Sequence, residues 1–167
     1  PGMKTIEEVA AFLKVEVRQT AKVVFYEADS EGRPVMAIIR GDLEINEAKL
    51  AKLLRRQPVL ACEATIRKTG AVPGFASTLG IRDCRLIADV TAAKSHNLVC
   101  GANEADYHLL NWNLARDAAD YETADIARMR EGDGCPQCSA KLLLKRGIEI
   151  GNIFQLGDKY TRLMGMR

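Results

Sequence analysis

Several features that would give a function away are missing from this chain. It contains no GxGxxG and no P-loop, so no glycine-built nucleotide cradle is encoded. No run approaches the length of a membrane span and no signal peptide leads the chain; a cytoplasmic setting without a membrane partner is expected. The net charge is only +2, from 24 Lys and Arg against 22 Asp and Glu, which excludes the global basic field that grips long nucleic acid. Any nucleic-acid contact is then local. Histidine occurs twice and tryptophan once. Ser77 and Thr78 lack a histidine–acid relay, which argues against a serine-hydrolase triad.

Cysteine is present, but not as a disulfide framework. The five (62, 84, 100, 135 and 138) form an odd set, and three lie inside apolar strand-like runs, as expected of buried free thiols in a reducing compartment. Cys135-Pro136-Gln137-Cys138 is half a zinc knuckle. No second CxxC or paired histidine supplies the other two ligands, so no metal is expected. A redox CxxC sits at a helix N-terminus beside a β-α unit; this one precedes a strand-like segment.

What the chain does have is a globular mixture, 47% apolar and 28% charged over 167 residues. That is one domain, or one domain with an appendage, long enough to bury a core. Thr5-Ile6-Glu7-Glu8 is a capping box opening a short amphipathic helix. TAKVVFYEA (20–28) and PVMAIIR (34–40) flank a turn and predict a β-hairpin that Gly41-Asp42 ends. Asn46 caps a second helix running through Arg56, and Pro58 stops it. Strands are expected at 59–64, 84–89, 97–100 and about 106–113, and a helix at 123–129. The turn EGDGCPQCS follows, and KLLLKRGIEIGNIFQLG reads as a final strand pair. The sum is a mixed α/β fold, a barrel-like mixed sheet flanked by a few helices.

The stretch 87–117 mixes polar groups at strand ends and turns, the pattern of a pocket wall. Asp89 ends the strand RLIAD and has an ordinary role as a turn cap. His108 has an ordinary role as a core imidazole. Lys22 breaks an apolar strand, either as an edge lysine that blocks aggregation or as a point charge in a cleft. The loop 69–80 holds three glycines and a proline; it is either a connector or a backbone that lets N–H groups approach a carbonyl or phosphate.

PGMKTIEEVAAFL, RGDLEINEAKL, TGAVPGFA, VCGANEADYH and RGIEIGNIFQLGDKY, in this order, resemble the insertion domain of bacterial-type prolyl-tRNA synthetase, of the YbaK-type aminoacyl-tRNA deacylase superfamily. The resemblance covers essentially the whole chain. It implies an excised internal editing domain, residues 1–167, with 131–167 a C-terminal turn and strand segment leading back toward the synthetase core; the non-native Pro-Gly-Met start fits that. The implied activity is hydrolysis of alanine mis-esterified to proline-specific tRNA, a second site that supplies what a proline pocket cannot, since missing methylenes are worth only about 1–3 kcal/mol.

The resemblance also assigns roles. Lys22 matches the family's T-x-K lysine and would contact the terminal adenosine. His108 matches the histidine of its DYHY segment and would hold the aminoacyl group. Asp89 would meet the substrate ammonium or orient a neighbour. Gly74, Phe75, Ala76, Ser77 and Thr78 with Gly101, Ala102 and Asn103 would bind substrate. No cofactor is implied for editing, ATP serving only the synthetase catalytic domain. The implied partners are the tRNA(Pro) acceptor end carrying alanine, the rest of the synthetase, and a second copy through the parent enzyme.

Two departures stand out. The family loop G-F-A-G-P is here Gly74-Phe75-Ala76-Ser77-Thr78, which loses a fixed φ and gains an N–H. N-x-N-W-G-R-D is here Asn111-Trp112-Asn113-Leu114-Ala115-Arg116-Asp117, with tryptophan two positions early and displaced along one face rather than lost. Rival readings are a non-catalytic acceptor-end-binding insertion and a free-standing trans-editing deacylase.

Overall fold

The computed structural model describes all residues except 1, 4, 154–156, 166 and 167. The chain folds as two compact units, residues 1–128 and 129–167.

The first unit is built on a four-stranded sheet in the order β1-β2-β3-β6, with β1 Ala21–Tyr26, β2 Val35–Arg40, β3 Arg85–Asp89 and β6 Tyr121–Ala124. β1 and β2 are the expected hairpin, and β3 and β6 add in parallel. β2 is central and buried on both faces, which is why VMAII is apolar without alternation. A separate antiparallel ribbon joins β4 Leu98–Gly101 to β5 His108–Trp112. The mixed α/β fold, a sheet flanked by helices, is as expected; the described strands form this open sheet and the ribbon rather than a barrel.

Alternation splits the core in two. Phe25, Met36, Ile38, Leu86 and Ala88 face the ribbon, where Leu98, Cys100, Trp112 and Leu114 cover them. Tyr26, Val35, Ala37 and Ile87 face the other way, under Leu50 and Leu54 of α2 (Glu47–Leu54) and Ile126. α2 starts where Asn46 accepts the N–H groups of Ala48 and Lys49. α1 (Ile6–Leu13) starts at the complete Thr5–Glu8 capping box.

Three expectations fail. Residues 59–64 form no strand. Val59 and Ala61 extend the ladder on the outer edge of β1, and Leu60 makes a single bridge to Tyr26. Glu27 then accepts from Cys62 N–H and the Thr65 hydroxyl, and α3 (Glu63–Lys68) begins. Cys62 is consequently exposed, not buried. The helix expected at 123–129 is strand β6 followed by extended chain. Here tertiary bonds overrule the local pattern, since Ile126 carbonyl accepts from Asn46 and Ile45 bridges Ala127.

The third failure lies in the second unit. A turn carries the CPQC segment within the bridge Gly134–Lys141, but the final strand pair does not form among the described residues, and Phe154–Leu156 of that pair lie outside them. A short helix, α6, spans Lys159–Leu163. Two further short helices form, α4 (Val90–Lys94), where a turn is expected after Asp89, and α5 (Leu114–Asp117). Trp112 thus ends a strand and Leu114 begins a helix, yet both enter the same core.

Asp89 ties these elements together. Its carboxylate is fully buried. One oxygen accepts the N–H (2.8 Å) and hydroxyl (2.5 Å) of Thr91, capping α4, and the other accepts the N–H groups of Ile126 (3.1 Å) and Ala127 (3.0 Å). Removing it strands four donors. Asp89→Ala is expected to cost on the order of 3 kcal/mol or more, measured as the shift in denaturant unfolding free energy; a loss below about 1 kcal/mol would contradict this account.

Candidate functional site

β1 is an edge strand, and its outer edge is covered only at its ends. Thr20 bridges Val99 of the ribbon at one end, and Phe25 carbonyl accepts Ala61 N–H at the other. Between these covers lies a cavity of about 370 Å³ lined by residues 20–25, α1, the loop 73–76, Gly101 and His108, a volume typical of small-molecule sites. Alternation turns the Val23 N–H and C=O outward toward this gap, because Thr20 carbonyl bonds inward to Gly41 and Phe25 carbonyl outward to Ala61. The edge reading of Lys22 and its cleft reading therefore coincide.

Lys22 lines the cavity, and its Nζ donates to Glu44 Oε1 at 2.5 Å. The Lys22 side chain is 21% exposed and that of Glu44 74%. With one partner so open to water, the pair is worth little, and an anionic or hydroxylic ligand can take the amine over. Glu44 lies in the dense polar segment RGDLEINE, and its pairing with a lysine 22 residues away is not encoded by any local pattern.

His108 opens β5 opposite Gly101. Phe75 meets it edge-on, ring centroids 5.8 Å apart. Burial holds the imidazole below its ordinary pKa of 6.5, the Asp106 carboxylate opposing this. His108 also lines a neighbouring apolar groove with Val9, Phe12 and Leu110.

The loop is held by three features. A Cβ on Gly101 would collide with the carbonyl groups of Phe75 and Ala76; only glycine lets the loop lie on β4. Asn103, at φ 56° in the turn after β4, accepts the N–H groups of Val72 (3.3 Å) and Ser77 (3.1 Å) and donates to Leu79 carbonyl (2.6 Å). Asparagine suits both tasks, tolerating the left-handed region and bonding backbone in both senses. Thr78, buried, donates to Asp117 carbonyl at 2.6 Å and accepts the Trp112 indole N–H at 3.2 Å.

The sequence-selected residues therefore divide. Lys22, His108, Gly74, Ala76 and Gly101 meet in one cavity. Phe75 packs behind it, and Ser77, Thr78 and Asn103 hold the loop from within the protein. Ala102 is not part of the lining; its N–H donates to Tyr107 carbonyl in the β4–β5 turn. Asp89, expected near the substrate ammonium, lies outside the lining, with its oxygens committed to Thr91, Ile126 and Ala127. Its ordinary capping role is the one the geometry gives.

The thiols separate in a similar way. Burial pushes Cys84 and Cys100 up to about 12. Backbone N–H groups of Gln137 and Cys138 hold the Cys135 thiol below its ordinary value. No cluster of three or more His, Cys, Asp or Glu side chains suited to a metal occurs among the described residues.

Two outcomes are expected. Gly101→Ala displaces the loop and costs on the order of 1–3 kcal/mol, with faster amide exchange at Ser77; unchanged exchange would refute the close-approach account. The His108 resonance titrates below 6.5. A lowered folded pKa means that the unfolded chain takes up the proton first, so His108 weakens the fold as pH drops from about 6.5 through that lower value and leaves it unaffected above. A midpoint at or above the ordinary value would overturn this.

Known proteins place the chain. The family model for the aminoacyl-tRNA editing domain matches residues 1–117. A proline–tRNA ligase of Dehalococcoides mccartyi is 46% identical over 166 residues, 99% of this chain and 29% of the relative. One of Syntrophus aciditrophicus is 43% identical over 167 residues, 99% of this chain and 28% of the relative. The chain thus spans under a third of these relatives. Among solved structures, a proposed trans-editing enzyme for prolyl tRNA synthetase aligns at TM-score 0.65 and 18% identity, over 77% of this chain and 83% of that one. Hypothetical protein APE2540 aligns at TM-score 0.65 and 21% identity, over 75% and 85%. At such identities they speak for the fold. The chain belongs to the aminoacyl-tRNA editing domain family, in the form its relatives carry within proline–tRNA ligases.

Proposed function

We propose that this chain removes alanine from mischarged proline-specific tRNA by hydrolysing the aminoacyl ester, as the editing segment of a prolyl-tRNA synthetase. The carrying observation is that one cavity collects a lysine, a half-buried histidine and a glycine-rich loop from three distant parts of the chain.

In this reading Lys22 leaves Glu44 for the phosphate or ribose of the terminal adenosine, as a point charge. His108, neutral at pH 7 because burial disfavours its charge, borders the aminoacyl group. Phe75 and Ser77 N–H groups are taken up by Val72 carbonyl and Asn103. Gly74 and Ala76 line the cavity, and their N–H groups meet no hydrogen-bond acceptor among the described residues. In this reading they polarise the ester carbonyl while water attacks, which is oxyanion stabilisation by fixed donors. The terminal ribose hydroxyl assists. The proposed reaction uses no cofactor and no covalent enzyme intermediate. Its partners are the tRNA acceptor end and the rest of the synthetase, where ATP is consumed.

The test is single-turnover deacylation of Ala-tRNA(Pro) by the full chain. Lys22→Ala is expected to lower the rate on the order of 10²-fold. Equal rates for the two proteins would remove Lys22 from the mechanism. Tight acceptor-end binding without hydrolysis, at enzyme in excess, would replace the hydrolase with a binding module.

A further inference from the structure

The only tryptophan of the chain is 98% covered, and its indole N–H ends on one buried hydroxyl. That hydroxyl, on Thr78, is itself the donor to Asp117 carbonyl. The relay is directional. Indole N–H can only donate, so Thr78 oxygen must accept it, which leaves the threonine proton for the carbonyl. The carbonyl is fixed in turn. Asp117 closes α5, its carboxylate accepts Asn113 N–H at 2.8 Å, and Arg116 pairs with it. Thr78 is two residues from Ala76, a cavity-lining residue. The loop's middle is held by Asn103 and its floor by Gly101; its C-terminal end is held by this relay.

We propose that Trp112 and Thr78 are positioning residues that set the width of the aminoacyl subsite and hence its preference for a small amino acid. The proposal rests on the editing reading given above. The lining from Pro73 to Ala76 has no bulky side chain that excludes a larger group. On this side of the cavity exclusion therefore depends on where the backbone lies, which the relay holds, while Val9, Leu60, Ile66 and His108 line the rest. A hydroxyl at 78 supplies by side-chain bonding the restraint that a fixed φ supplies elsewhere. Because both groups are buried, the restraint acts without competition from water.

Four variants of the full chain test this, each assayed with alanyl and prolyl esters of the same tRNA and by amide exchange over residues 74–77 without substrate. Thr78→Val keeps the shape, removes the hydroxyl and leaves the indole unpaired. It is expected to speed loop exchange and to narrow the alanine-over-proline ratio of kcat/KM by about tenfold or more, mainly through a gain with the prolyl ester. Thr78→Ser keeps the relay and is expected to restore both. Trp112→Phe removes the donor together with part of the buried ring and is expected to give part of the exchange and ratio effects. Ile126→Val, in the opposite core, is expected to lower stability while leaving the ratio alone.

The proposal is overturned if Thr78→Val is folded with unchanged loop exchange. It is equally overturned if the ratio moves no more than in Ile126→Val. If wild type hydrolyses neither ester, the editing reading falls, while the exchange data still decide whether the relay holds the loop.

Discussion

The site depends on one close approach, the loop 72–79 lying directly on β4 at Gly101. Any side chain there would push the loop off. With hydrogen alone at that position, Phe75 and Ala76 come within contact of the strand and Asn103 can reach both sides of the loop. A segment otherwise free to wander becomes a rigid wall. In the proposed hydrolysis its fixed N–H groups would need no rearrangement when charge develops on a substrate.

The opposite wall of the cavity is an unfinished sheet. β1 has a partner on its inner side and only patches on its outer side. An open edge of this kind is ordinarily a liability, and lysine is a common way to blunt it. Here the gap is short, closed at one end by the ribbon and at the other by residues 59–61, so the edge becomes a concavity instead of a template. Lys22 stands on that edge and lines the concavity.

The two departures from the family pattern turn out to be a single physical unit. Thr78 stands where a proline is usual and Trp112 stands two positions early, and each is the hydrogen-bond partner of the other. Leu114, in the place of the usual tryptophan, fills the same core from a helix start.

The local features were determined by sequence alone. The capping box of α1, the Asn46 cap of α2, the β1–β2 hairpin and the continuous burial of β2 all follow from residues within a few positions of one another. Only the family resemblance joined Lys22, His108 and Gly101; their local patterns gave each an ordinary role of its own. Tertiary structure decided the rest, because its causes lie far off in the chain. Residues 123–127 pattern as a helix, but the Asp89 carboxylate and Asn46 hold them extended. Residues 59–61 stop short of a strand because Glu27 draws Cys62 into a helix start. The choice between Asp89 as ligand group and Asp89 as strap was also made there: a carboxylate with four committed donors has nothing left to offer a substrate.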